Sequence, residues 1–247
     1  MRIRNYKNIY QITFLSMLFP INCYLVEEDS NLTLIDIGLK SFCEPVLNLS
    51  EKIGKPISNI ILTHPHSDHI GGLDKLKEKL PNATVYISKR DSLLMSGDFS
   101  LEGNEPSSKI NGGFIDVNTK VDVLLDDGDY IGSLKAISTP GHTPGSMSFY
   151  NEELKILITG DAFQVKGGLS VSGDKRLFFP FPALATWCKE IAIENAKKLS
   201  KLEINLLATG HGDMIENPKE LIINAIKRAE KNLKGSSSIW KKELQGM

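Results

Sequence analysis

The sequence predicts an α/β fold, and three observations carry that reading. Four apolar, β-branched runs each stop at a short turn, as strands do at the end of a sheet: Ile60-Ile61-Leu62, Ala136-Ile137-Ser138-Thr139, Ile156-Leu157-Ile158-Thr159 and Ile204 to Thr209. Between such runs lie stretches with apolar residues at helical spacing, such as Leu73, Leu76 and Leu80. The second half of the chain then repeats the strand-strand-helix plan of the first at similar length.

Taken in order, the chain opens on Arg2, Arg4 and Lys7 ahead of Ile12-Thr13-Phe14-Leu15-Ser16-Met17-Leu18-Phe19-Pro20-Ile21, a layout that imitates a secretory signal. Polar residues and a proline interrupt the run, no small-x-small site follows it, and it is too short to span a bilayer. Strands of a meander fit better, with Ile21 to Val26, a turn at 27–31, and Leu32 to Ile37. Phe42 to Ile53 reads as a helix closed by Gly54 at its C-cap. Leu73 to Leu80 is a second helix, stopped by Pro81, and Ala83 to Ile87 a short strand.

Residues 88–120 differ in character: Ser, Gly, Asn, Asp and Lys dominate, with isolated Leu93, Leu94, Met95, Phe99 and Phe114. A stretch this long without its own pattern reads as a loop, either facing the substrate or inserted on the surface. Strands are expected at 121–125, 130–139, 146–150 and 154–159. A helix from Pro182 to Leu199, a strand at 203–208 and a last helix follow. Asn217-Pro218 opens that last helix with a cap and Pro at N1, and Ile222, Ile223, Ile226 and Ala229 give it one apolar face. Residues 235–247 are expected to be a mobile tail, and the whole of 1–247 to be one domain.

The chemistry is concentrated at Thr63-His64-Pro65-His66-Ser67-Asp68-His69-Ile70-Gly71-Gly72, directly after a strand. His64 and His66 leave that strand on one side, and the turn brings Asp68 and His69 round to the same space. Imidazole and carboxylate donors at this spacing suit Zn, Fe or Mn. The chain has 5 histidines, and the other two, His142 and His211, also stand just past strand ends, as does Asp161. Loops beyond strand ends are where sheets place binding groups.

This set resembles the metallo-β-lactamase superfamily of hydrolases in its His-x-His-x-Asp-His signature (His64, His66, Asp68, His69), the trailing Gly71-Gly72, and His142, Asp161 and His211 in order. The resemblance runs from about residue 20 to residue 215. It implies a four-layer αββα sandwich of two mixed sheets with two divalent metal ions at one edge, Zn foremost, with Fe or Mn as alternatives. His64, His66 and His142 would hold one ion, Asp68, His69 and His211 the other, and Asp161 would bridge them. It also implies that Asp36, in Leu32-Thr33-Leu34-Ile35-Asp36-Ile37-Gly38, packs under the metal loop; the residue could equally form an Asx turn.

Two dications can share a bridging water and lower its pKa, so that hydroxide attacks the carbonyl of a small ester, thioester or lactone near neutral pH. Asp68 would orient the nucleophile and pass a proton to the leaving group. A metal-bound imidazole cannot double as a general base, which removes a Ser-His-Asp reading. Asp161 stands where zinc β-lactamases carry cysteine or serine, which argues against antibiotic hydrolysis. Gln164 stands where N-acyl homoserine lactonases usually carry tyrosine. Glyoxalase II enzymes share the signature, and Lys166 would lie near their glutathione contact, unless it is a solvated surface residue. Phe178-Phe179-Pro180-Phe181-Pro182 reads as either an apolar acyl pocket or core. The alternative on the same fold is a redox protein, of the single-iron persulfide dioxygenase or flavodiiron kind.

Composition narrows the partners. Among 247 residues, 29 basic and 30 acidic side chains leave a net charge of −1, with no electrostatic case for nucleic acid or a membrane surface. A small-molecule substrate is expected, with a dimer left open. Three cysteines, Cys23, Cys43 and Cys188, sit in apolar contexts, so the expectation is buried thiols, no disulfide framework and a cytoplasmic setting.

Overall fold

The computed structural model describes residues 1–245, and the side chains of 1–235. The first sheet takes its strands in chain order: β1 (Arg2–Tyr6), β2 (Ile9–Phe14), β3 (Ile21–Glu27), β4 (Leu32–Ile35), β5 (Ile57–Ile61), β6 (Thr84–Ser88) and β7 (Val123–Leu125). β1 to β4 form an antiparallel meander, so the apolar run near the N-terminus is sheet. β4 to β7 run parallel, and parallel neighbours need crossovers, here supplied by helices α1 (Cys43–Ile53), α2 (Ser67–Ile70), α3 (Leu73–Lys79) and α4 (Lys89–Met95). Gly54 ends α1 in the left-handed region at φ 81°, where a side chain would be strained.

The second half gives β8 (Tyr130–Ile131), β9 (Leu134–Ser138), β10 (Met147–Asn151) and β11 (Ile156–Ile158), then a small ribbon of β12 (Phe163–Gln164) with β13 (Ser170–Val171). Helices α5 (Phe181–Leu184) and α6 (Lys189–Leu199), strands β14 (Leu206–Ala208) and β15 (Ile215–Glu216), and helix α7 (Lys219–Gln245) complete it. The second sheet runs β15-β14-β11-β10-β9-β8, with β11 and β14 parallel and the other pairs antiparallel.

Strand side chains alternate between two destinations, as a period of two requires. In β11, Ile156 and Ile158 enter a core shared with the first sheet, while Leu157 faces α6 and α7. Ile61 of β5 joins the same shared core, and its neighbours Ile60 and Leu62 pack with α1 and α3. The order is therefore helix, sheet, sheet, helix, the four layers and two mixed sheets that the resemblance implies.

Three expectations need correction. Residues 130–139 are a hairpin, because Gly132 at φ 57° turns the chain between β8 and β9; the Gly132-Ser133 pair is itself a two-residue hairpin signal. Residues 88–120 are not all loop, since Ser88 accepts a hydrogen bond from the Asp91 N–H and caps α4. The helix expected over 182–199 is two, broken at 185–188. There the N–H groups of Trp187 and Cys188 donate to the carbonyls of His142 and Gly141, which holds the segment extended against the His142 turn. Of the expected tail, residues 235–245 belong to α7, and residues 246–247 lie outside those described.

Candidate metal centre

All seven expected residues meet at one edge of the sandwich. His64, His66, Asp68 and His69 come from the loop and α2 after β5, His142 from the β9–β10 turn, Asp161 from the turn after β11, and His211 from the loop after β14. Candidate ligand atoms lie within 4.8 Å of one another in three overlapping groups: His64, His66, His142; His64, His69, Asp161; and Asp68, His69, His211. The five histidines and Asp161 are buried, whereas the Asp68 side chain keeps 28% of its surface exposed against 3% for Asp161. Asp68 is thus the carboxylate that solvent reaches.

Each imidazole is held by its outer nitrogen. His66 Nε2 donates to the Asn111 carbonyl at 3.0 Å and His211 Nδ1 to the Pro20 carbonyl at 2.6 Å; a carbonyl can only accept, so both tautomers are set. His69 Nδ1 donates to Asp36 Oδ2 at 2.7 Å. Thr63 Oγ1 spends its proton on Asp36 Oδ2 and so accepts from His64 Nδ1 at 3.0 Å. Ser172 Oγ takes the same part at His142 Nδ1, 3.0 Å away. That leaves His64, His69, His142 and His211 with Nε2, and His66 with Nδ1, as lone pairs turned inward. The buried atoms His64 Nε2, His69 Nε2 and Asp161 Oδ1 have no hydrogen-bond partner. Buried polar atoms are rarely left so, and a cation is what an array of converging lone pairs accepts.

The electrostatics agree. Burial, then the neighbouring imidazoles, hold His64 well below the usual histidine value, and burial takes His66 down to about 4 and His142 to about 3. These three are neutral donors. Burial also opposes charge on His69 and His211, but Asp161 and Asp68, with Asp36 at His69, outweigh it and raise both, so at these two Nε2 atoms a cation would displace a proton to reach the lone pair. Burial opposes ionisation of Asp161 as well, and His211 with His69 overcomes it, keeping the carboxyl well below its usual range. Asp161 Oδ1 faces His69 Nε2 at 3.4 Å, while Oδ2 faces His142 Nε2 at 3.4 Å and His211 Nε2 at 3.2 Å. It lies between the two histidine groups, with negative charge that a divalent cation would also neutralise.

The family model for the metallo-beta-lactamase superfamily matches residues 17–211, a span that takes in every member of the cluster. The chain belongs to the metallo-beta-lactamase superfamily. It is 49% identical to the uncharacterized protein YobT of Bacillus subtilis over 232 residues, covering 94% of this chain and all of that one. It is 32% identical over 213 residues to YflN of the same organism, described as a probable metallo-hydrolase, covering 77% of this chain and 80% of that one. The solved BLEG-1 B3 metallo-beta-lactamase superposes with a TM-score of 0.63 at 23% identity, covering 86% of this chain and 96% of that one, and supports the fold.

Within this superfamily fold, several residues around the cluster escape local reading. Asp36 does lie beneath the metal loop: Oδ1 accepts from the Thr63 N–H and Oδ2 from Thr63 Oγ1 and His69 Nδ1. It also sits at φ 59°, a backbone region that Asp tolerates better than most residues. Ser172 and the Pro20 and Asn111 carbonyls have no local signature, since they reach their histidines from 30, 191 and 45 residues away. Part of the 88–120 segment covers the site: Gly112 packs so closely on His66 that a Cβ would overlap its ring, and the Ser67 N–H donates to the Gly113 carbonyl. Lys166 Nζ donates to the Met17 carbonyl, and buried Gln164 donates to the Phe179 carbonyl. The three cysteines are buried free thiols, as expected. Among the described residues, no helix is long and apolar enough to cross a membrane.

Proposed function

We propose that this protein is a metal-dependent hydrolase of a small ester, thioester or lactone, using two divalent cations. The observation that carries the reading is the outward tethering of all five imidazoles, which leaves their inner lone pairs converging with Asp68 and Asp161. His64 Nε2, His66 Nδ1 and His142 Nε2 would hold one ion. Asp68, His69 Nε2 and His211 Nε2 would hold the second, with Asp161 shared between them. Nitrogen and oxygen donors without thiolate suit Zn first, and Fe or Mn next. When bound, such ions polarise a carbonyl oxygen and acidify water enough for attack near neutral pH.

The remaining roles belong to the chain. Asp161 would set the separation of the two groups, because its carboxylate faces members of both: Oδ1 faces His69, and Oδ2 faces His142 and His211. Asp68, reached by solvent, orients the attacking water and passes its proton to the leaving heteroatom. The histidines cannot move that proton, since their outer N–H groups are spent on Asn111, Pro20, Asp36, Thr63 and Ser172. The segment around Asn111 and Gly112 limits access over His66.

The test is metal analysis of purified protein together with a screen against thioesters, aryl esters and acyl lactones. Two equivalents of metal with turnover of at least one class support the proposal. One equivalent of iron with oxygen uptake and no hydrolysis would replace it with a redox reading.

A further inference from the structure

Two chains of phenylalanine rings lead outward from opposite ends of the histidine cluster. On one flank, the Phe114 ring meets the His66 ring at 4.8 Å, and Phe99 meets Phe114 at 4.8 Å. On the other, Phe19 and Phe179 lie 5.5 Å and 5.3 Å from the His211 ring, and Phe181 lies 5.0 Å from Phe19. Among the described residues, every ring contact of the candidate ligands outside the cluster is with one of these phenylalanines. The inner ring Phe179 is fully buried, while the outer rings Phe99 and Phe181 are 43% and 52% exposed. Burial thus decreases from the cluster outward on both sides. His66 belongs to one proposed ion group and His211 to the other, so the two flanks bracket the place where a bound carbonyl would react.

Three contacts hold these rings in position. The Gln164 side chain donates to the Phe179 carbonyl, Lys166 Nζ ties the loop carrying Phe19 through the Met17 carbonyl, and the Trp187 indole donates to the Ser108 carbonyl in the segment leading to Phe114. A packing core would bury its outermost rings; these remain open, next to further exposed apolar residues Leu18 and Phe178 on the same two loops. Exposed apolar surface continuous with a reactive site is the mark of a ligand surface.

We infer that the substrate carries apolar groups on both sides of its scissile carbonyl, with a hydrocarbon arm laid along Phe19 and Phe181. The inference rests on the hydrolase reading above and names the substrate class for it. A glutathione thioester, charged along its leaving group, is then a poor substrate, because rings desolvate charge without pairing it.

The test is a kcat/KM series for metal-loaded protein over aryl esters from acetate to decanoate, with acyl-glutathione thioesters beside it. A gain of roughly fourfold per methylene is expected from butyrate to octanoate, the hydrophobic transfer of each added group. The double variant Phe19→Ser/Phe181→Ser should lower the octanoate-to-acetate ratio at least tenfold. Leu221→Ser, which removes an exposed apolar residue on α7, should leave that ratio as it was. Binding is read separately, by displacement of an apolar fluorophore with decanoate, alongside metal content and circular dichroism of each variant. If no ester turns over but decanoate still displaces the dye from the wild type and not from the double variant, the aromatic surface stands and the hydrolase reading falls. A flat ester series in an active enzyme, an unchanged ratio in the double variant, or preference for the glutathione thioester overturns the inference and leaves the hydrolase reading intact.

Discussion

Asp36 accepts three hydrogen bonds at one carboxylate and joins the strand end to the metal loop. Replacing it with alanine strands the Thr63 N–H and the His69 Nδ1–H in a buried site and frees the His69 ring to rotate. Outer partners of this kind typically contribute ten- to hundredfold to metal affinity. Asp36→Ala is therefore expected to lower the affinity of the His69 group by that factor, measured by chelator competition, with a smaller effect on the His64, His66 and His142 group. Asp161→Ala should be harsher, removing one or both ions and abolishing turnover while the circular dichroism spectrum stays that of the wild type. Full turnover by that variant would contradict the proposed mechanism. At this scale the inner residues were legible because donor type and spacing are local properties of a loop. Of their outer partners, Asp36 was reached through the family resemblance, but the Pro20 and Asn111 carbonyls were not, because a carbonyl 191 residues away has no side chain to betray it.

At the scale of elements, the 130–139 hairpin and α4 carry local signals, the Gly132-Ser133 turn and the Ser88 cap, whereas the break within 182–199 is a tertiary contact overriding local propensity. The helix expected over 182–199 breaks where Trp187 and Cys188 are needed to hold the His142 turn. Helix α4 matters for the same turn. Its Asp91 is fully buried, accepting from Thr143 Oγ1 at 2.5 Å and from the Gly145 N–H at 2.8 Å, so it anchors the residues just after His142. Burial raises its pKa to about 7, against the pull of Thr143 and Gly145. A carboxyl raised in the folded state keeps its proton while the unfolded chain loses it. Between pH 4 and 7 the native state binds more protons, and stability from this group falls as pH rises. Asp91→Asn removes that titration. The wild type should lose about 1.4 kcal/mol per pH unit relative to Asp91→Asn across that window, read from urea midpoints of the two proteins at matched pH. A difference independent of pH would show Asp91 to be ionised throughout.

At the scale of the molecule, the candidate ions would join the two sheets. His64, His66, Asp68 and His69 hang from the first sheet, and His142, Asp161 and His211 from the second. Elsewhere the sheets meet through apolar packing and a few polar ties, such as the Met147 N–H to the Thr63 carbonyl and the Asn22 N–H to the Gly210 carbonyl. The strands and helices were legible because period-two runs and caps are written locally, and the layered order came from the family resemblance; the ties between sheets were not legible, since each joins residues far apart in sequence. A ligand that binds only the assembled sandwich stabilises it by mass action, about 2.7 kcal/mol at a free concentration a hundredfold above Kd. For a chain of this size that corresponds to a rise in Tm of roughly 5 to 10 °C. Chelation should therefore lower Tm by that amount, re-addition of Zn should restore it, and the shift should vanish in Asp161→Ala. A wild type whose Tm ignores the chelator, although metal analysis shows the ions removed, would mean that the two sheets hold their geometry without them and that the cluster is preformed by its outer hydrogen bonds alone.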